Sequence, residues 1–325
     1  MRFCSRDELR DLMNGCGRRR QPFVWGIDYA GVNCFFIDDI SERGDVLWSV
    51  RGNGNAGDAM PSAVPSLTVT GALSREEYSR MFAAVREGLM RGDSFLANLT
   101  VATGVECTAT LRDVFLHSQA PYRLLVGDDF VCFSPEPFVR IDGRKISTFP
   151  MKGTADASVA GAERRLLDDV KETCEHFTIV DLMRNDLGSV AEGVKVERFR
   201  YVERIATAKG DILQTSSEIC GTIPAGLERD FGDLLLPLLP AGSITGAPKP
   251  ATVSLIQHAE KVARGWYTGV FGYFDGRVMD TAVMIRCLQR GADGRLYFYS
   301  GGGITAKSVC CDEYEEMLAK VYLTK

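Results

Sequence analysis

The sequence predicts a mixed α+β fold, and three observations carry that reading. Short aromatic and β-branched runs crowd the first third of the chain. Apolar residues at helical spacing govern a few longer stretches in the middle and at the end. The two patterns do not alternate regularly, as a parallel doubly wound sheet would require.

The elements follow in order. Residues 23–29, 33–37 and 46–50 read as strands separated by turns. A helix over 74–90 is signalled by Ser74, with Glu77 completing a capping box. Residues 95–100, 122–126, 131–133 and 145–149 read as further strands. One long helix is expected over 162–186. Leu166, Leu167, Val170, Cys174, Phe177 and Val180 keep helical spacing there, and Gly188 stands just past the end. Pro248 suits the first position of another helix. Strands are expected at 268–274, 279–288 and 296–299, and a last helix at 308–323.

Composition excludes several classes of function. Hydrophobic residues make up 45% and charged residues 25%, as in ordinary soluble proteins. The net charge of −5 argues against a nucleic-acid partner, which needs a basic surface. No apolar run approaches the ~20 residues of a membrane span, and the first twenty residues lack a signal-peptide core. The expected location is therefore the cytoplasm. The ten cysteines form no C-x-x-C pair, so they are expected as reduced thiols rather than zinc ligands. Residues 52–57 fit G-x-G-x-x-G, but Pro61 and Pro65 follow where a nucleotide-binding helix should start, so they are expected to form a turn.

Two acidic pairs stand at helical spacing. Glu172 and Glu175 are three residues apart, as are Glu313 and Glu316, and Lys320 follows one turn later. Carboxylates so placed suit a hard divalent cation or form a solvated acidic face. Residues 241–249 form a glycine-bearing loop that leads into a helix, a setting that favours an anion. Residues 300–304 hold three glycines and are expected to join a strand to the last helix. Arg286, inside an apolar strand, needs a partner, and a ligand carboxylate is a good one.

These blocks, in order, resemble the chorismate-utilising enzymes. The carriers are Ser134 to Phe138, Pro150 to Thr154, Lys171 to His176, Asp181 to Gly188, Gly242 to Lys249, Arg264 to Gly269 and Gly301 to Glu316. The resemblance implies a single chorismate-binding catalytic domain over 1–325. Its strand-rich part, 1–73, varies, and its core covers 74–325. It implies two large, mostly antiparallel sheets packed together with helices outside. It implies Mg2+ held by Glu172, Glu175, Glu313 and Glu316. It also implies substrate contacts from Thr245, Tyr267, Arg286, Gly301, Gly303 and Lys320.

Two positions point to one branch of the family. Lys152 resembles the lysine of aminodeoxychorismate synthases, where anthranilate and isochorismate synthases usually carry alanine. In that branch its amine attacks C2 of chorismate as the C4 hydroxyl leaves, and ammonia then adds at C4. A neutral amine is needed, so a lowered pKa is expected at Lys152. Glu136 resembles the acid that serves the departing hydroxyl. Leu96 stands where isochorismate and salicylate synthases place a water-activating lysine, and leucine cannot do that work. Gln214 departs from the histidine of many relatives, which puts a histidine acid–base role there in doubt.

The chain lacks a G-x-C-x-G nucleophile motif, so a separate glutamine amidotransferase subunit is expected to supply ammonia. No tryptophan-binding motif is evident, and feedback inhibition by tryptophan is not expected. The alternatives are anthranilate synthase component I, isochorismate synthase and a non-catalytic anion-binding protein.

Overall fold

The computed structural model describes residues 2–42, 44–205, 210–260 and 262–323. Its described strands form two sheets, and every described pairing is antiparallel. The first sheet has ten strands. From its N-terminal edge the order is Arg2–Cys4, Cys34–Ile37, Phe23–Ile27, Val270–Phe274, Val278–Val283, Pro137–Asp142, Lys145–Thr148, Ile212–Thr222 and Met151–Asp156, with Glu192–Ile205 also on Ile212–Thr222. The second has nine strands. Its order is Gly246–Ala247, Leu96–Cys107, Leu296–Ile304, Cys287–Arg290, Phe130–Ser134, Tyr122–Val126, Val46–Val50 and Asn53–Gly54, with Leu67–Gly71 also on Leu96–Cys107.

Alternation along the strands explains the layers. In Phe23–Ile27 every residue is buried. Phe23, Trp25 and Ile27 face a core shared with the helices Arg6–Arg18 and Val170–Gly188, while Val24 faces the opposite sheet. Across that sheet-to-sheet layer Val24, Phe35 and Phe271 meet Trp48, Tyr122 and Cys132. The outer face of the second sheet is covered by the helices Arg75–Arg91, Lys249–Glu260 and Cys310–Ala319. Each fully buried aromatic side chain of these layers contributes roughly 2–3 kcal/mol of transfer free energy. The α+β class and the pair of packed sheets are thus as expected.

Several expectations about elements are corrected. The helix over 162–186 is two helices, Ala162–Asp168 and Val170–Gly188. Asp169 between them is extended, and its side chain accepts the Glu172 N–H at 2.9 Å, capping the second helix. Gly188 ends that helix rather than following it. The strand over 279–288 is also two, Val278–Val283 in the first sheet and Cys287–Arg290 in the second. The chain changes sheet at residues 284–286. Arg286 has φ +56 there, so it lies in a strained crossover and not within a strand. Gly301 to Gly303 lie inside the strand Leu296–Ile304, paired along Leu96–Cys107, and do not form a loop.

The helix Arg6–Arg18, absent from the expected elements, starts with a capping box between Ser5 and Glu8. Within residues 52–57, expected as a turn, Asn53–Gly54 pairs as a short strand with Ser49 and Val50, and the residues around it turn. Asn55 accepts the Trp48 N–H and donates to the Glu42 and Val46 carbonyls, folding the segment back on Val46–Val50. The ten cysteines are free. Among the described residues no helix is long and apolar enough to cross a membrane.

Candidate active site

A cavity of about 260 Å3 is walled by residues of both sheets. Glu136, Met151, Lys152 and Gln214 come from the first sheet and its edges. Leu96, Asn98 and the stretch from Tyr299 to Gly303 come from the second. Glu175, Thr178 and Ile179 of the helix Val170–Gly188, the loop residues Ser243 and Ile244, and Tyr267, Arg286 and Lys320 complete it. Of the residues the sequence singled out, Glu136, Lys152, Glu175, Tyr267, Arg286, Gly301, Gly303 and Lys320 line this one space.

Lys152 sits near the start of the strand Met151–Asp156, opposite Thr215, whose hydroxyl donates to the Lys152 carbonyl. The register slips between Lys152 and Thr154, where Gly153 adopts φ +81. A Cβ on Gly153 would lie 2.9 Å from Glu172 Oε2, so glycine leaves room for that carboxylate. The Lys152 ammonium lies 2.7 Å from Glu175 Oε2. The expected lowering of its pKa is not observed. Burial does push the amine toward its neutral form, but Glu175, Glu172 and Glu316 together outweigh burial, and the net shift is upward.

Of the four glutamates only Glu175 lines the cavity, but Glu172, Glu313 and Glu316 lie near enough to interact with the Lys152 charge. Glu172 lies in the first turn of its helix, with its pKa raised by burial and by Glu175. Glu313 is likewise raised by burial and by Glu316, with Ser308 partly offsetting the rise. Burial acts to raise Glu316 as well, but Lys320, 2.8 Å away, outweighs it and holds the carboxyl below its usual range. A Cβ on Gly302 would lie 3.3 Å from Glu313 Oε2, which brings the last helix up to the glycine stretch. As they stand, Glu175 and Glu316 are paired with lysines, and among the described residues no three His, Cys, Asp or Glu are gathered about one point. Glu172 and Glu313, each partly buried beside another acid, offer hard oxygen donors of the kind a divalent cation takes.

Glu136 accepts a hydrogen bond from Ser243 Oγ at 2.8 Å. Burial raises its pKa, with Ser243 and Arg286 acting in the other direction. Ser243 is held by the turn Gly242–Ile244, which is pinned from behind. A Cβ on Gly242 would lie 2.5 Å from Asp186 Oδ2, and Asp186 pairs with Lys249 at 2.8 Å. Lys249 also donates to the Leu238 carbonyl. Thr245 is fully buried beneath this turn and does not line the cavity, whose wall there is Ser243 and Ile244.

Arg286 and Lys320 bring cationic groups to the same cavity, and Arg286 acts on Glu136. Arg286 Nη1 donates to the Lys320 carbonyl at 3.0 Å, and Lys320 Nζ donates to the Gly301 carbonyl at 2.7 Å. Tyr267 is buried and stacked on Tyr299, ring centroids 5.5 Å apart. Gly301 cannot take a side chain, because a Cβ would lie 2.4 Å from the Leu99 carbonyl. On Gly303 a Cβ would press on Leu96 at 3.0 Å.

Asn98, Ser243 and Tyr299 were not expected in the wall. Asn98 carried a signal, since strand alternation places it on the face of Leu96 while Ala97 and Leu99 enter the core. Ser243 lay within a noted loop, but its bond to Glu136 spans 107 residues and is invisible to local pattern.

The comparisons agree with this architecture. The family model for chorismate binding enzymes matches residues 41–324. An uncharacterized PabA-like protein of Haemophilus influenzae is 45% identical over 312 residues, covering 95% of this chain and 94% of that protein. Anthranilate synthase component 1 of Archaeoglobus fulgidus is 32% identical over 258 residues, covering 76% of this chain and 61% of that one. The structure of MenF, the menaquinone-specific isochorismate synthase of Escherichia coli, shares the fold with a TM-score of 0.75 at 15% identity, over 98% of this chain and 82% of that one.

Proposed function

The chain belongs to the chorismate-binding enzyme family, and from that premise we propose that it aminates chorismate at C4 to give 4-amino-4-deoxychorismate. In this reading Mg2+ is the cofactor, a separate glutamine amidotransferase subunit supplies ammonia, and the product serves p-aminobenzoate and folate synthesis. The observation that carries the reading is Lys152, whose amine faces the same cavity as Glu136 and pairs there with Glu175.

The chemistry divides into two displacements. Lys152 first gives up a proton to solvent; its neutral Nζ then bonds to C2 of the ring, the double bonds shift, and the C4–O bond breaks. Glu136 gives its proton to the leaving hydroxyl, which departs as water. Ammonia then bonds to C4, Glu136 takes a proton from it, and the C2–N bond breaks to restore Lys152. Its raised pKa suits Glu136 to the first, proton-giving role. Arg286, Tyr267 and the backbone around Gly301 and Gly303 hold the pyruvyl carboxylate, and Lys320 lies near the ring carboxylate. Glu172, Glu175, Glu313 and Glu316 are the residues that would hold Mg2+, which would supply positive charge for the ring carboxylate and weaken the pull of these carboxylates on the Lys152 proton.

The test is to mix the chain with chorismate, Mg2+ and an ammonium salt and identify the product by mass. Exchange of one hydroxyl for an amine, with the pyruvyl group retained, supports the reading. Fluorescent anthranilate would replace it with the anthranilate synthase reaction, and an isomer of chorismate formed without ammonia with the isochorismate reaction. Glutamine in place of ammonium should give no product from this chain alone.

A further inference from the structure

One buried ion pair stands outside the chemistry just described. Arg264 and Glu260, at the end of the helix Lys249–Glu260, have side chains 1% and 5% exposed. A guanidinium has five N–H groups, and all five are used. Nε and Nη2 donate to the two Glu260 oxygens at 2.8 and 2.6 Å. The second Nη2 proton goes to the Asn98 carbonyl at 2.7 Å. Nη1 donates to the Ile244 carbonyl at 3.0 Å and to Thr268 Oγ1 at 3.3 Å. Glu260 Oε1 also accepts the Thr100 N–H at 2.8 Å.

These bonds tie three separate pieces of the cavity wall to one group. Asn98 belongs to the strand of the second sheet, Ile244 to the pinned turn, and Thr268 follows Tyr267. Thr268 holds φ +61, a conformation that a β-branched residue adopts only when its surroundings impose it. The Asn98 N–H donates in turn to the Thr245 carbonyl at 2.9 Å, which closes a frame behind the cavity. A buried ion pair is often no more stabilising than apolar residues of the same size, so stability does not explain this one.

We infer that the Arg264–Glu260 pair is a positioning device that fixes Asn98, Ile244 and Tyr267 relative to one another, so that the cavity holds its ring-shaped anionic ligand in a single pose. The inference rests on the proposed amination for its kinetic readout alone. Lysine cannot replace Arg264, because three tetrahedral donors cannot reach the five acceptors of a planar fork.

The test uses the full chain in three variants: Arg264→Lys, Arg264→Met, and the double variant Glu260→Leu with Arg264→Met. The double variant is expected to recover most of the melting temperature that Arg264→Met loses. Both it and Arg264→Lys are expected to show at least a tenfold lower kcat/KM for chorismate, mainly through KM. Amide hydrogen exchange is expected to speed up at 96–100, 241–248 and 265–268 in the double variant, while the core strand Phe23–Ile27 stays protected. Wild-type exchange in those three segments together with restored stability would overturn the inference, whatever the activity. A wild-type chain inert toward chorismate and ammonia would defeat the proposed reaction instead, leaving the exchange measurement to decide on the pair.

Discussion

The Lys152 ammonium and the Glu175 carboxylate form an ion pair 2.7 Å long at the wall of the cavity. It couples the proposed nucleophile to one of the proposed metal ligands, so charge on either group is felt by the other. Lys152→Ala is expected to abolish amination, and Lys152→Arg, which keeps the charge but cannot supply a neutral amine, to be equally inactive. Undiminished product from either variant in the mass assay would remove Lys152 from the chemistry.

Glu136 is expected to matter as a proton carrier. Glu136→Gln should lower kcat by about 100-fold or more, in the range of general acid–base catalysis. Burial raises the Glu136 pKa, so its protonated form is lost as pH rises through that raised value. At saturating ammonia, kcat/KM for chorismate should therefore carry an alkaline limb in the wild type that the glutamine variant lacks. Ser243→Ala removes the 2.8 Å bond and should move that limb further to alkaline pH, since Ser243 favours the ionised form.

Removal of divalent cations by a chelator should abolish amination, and added Mg2+ should restore it. Glu172→Gln and Glu313→Gln should each raise the Mg2+ concentration needed for half-maximal activity by roughly tenfold or more, since each removes a hard charged ligand. Full activity of the wild type in excess chelator would exclude the metal role of the four glutamates.

Gly153→Ala should be damaging beyond its size. Gly153 has φ +81, and a new Cβ would lie 2.9 Å from Glu172 Oε2. A loss of roughly 1 kcal/mol or more from the backbone alone is expected in a denaturant titration. Activity should fall with it, because the bulge that aims Lys152 and the seat of Glu172 are disturbed together.

Stability in acid should depend on Asp113. Its carboxylate accepts the N–H and hydroxyl of both Ser62 and Thr110, which holds its pKa at about 2 against an ordinary 3.8. A folded-state pKa below the unfolded one stabilises the protein above the ordinary value, and the stabilisation is lost as pH falls from 3.8 toward 2. Asp113→Asn should therefore unfold more readily than wild type at neutral pH, and the difference should shrink across that acid window.

The sequence made legible what depends on local pattern. The capping box at Ser74 and the strand runs at Val46–Val50 and Tyr122–Val126 stand where expected, and Lys152 and Glu136, sixteen residues apart in sequence, line one cavity. The two broken elements failed for local reasons that a longer apolar period concealed. Asp169 followed by Glu172 is itself a helix-start signal, masked by continuous helical spacing on either side. The apolar run through Arg286 hid a change of sheet, because both halves are buried and neither glycine nor proline marks the turn. The ionisation of Lys152 runs opposite to the expectation, because only the structure shows three carboxylates acting on the buried amine. Thr245 belongs to the substrate loop by sequence position, and only the packing of the turn shows that it is buried away from the cavity.

The passage of the chain from one sheet to the other at residues 284–286 has a bearing on synthesis. The strand Leu96–Cys107 gains its neighbour Leu296–Ile304 only after some two hundred further residues have left the ribosome. Contacts so distant along the chain slow folding. Until the crossover forms, the long early strand has an open, hydrogen-bond-hungry edge of the kind that chaperones cover, so overproduction at reduced temperature or with added chaperone should raise the soluble yield.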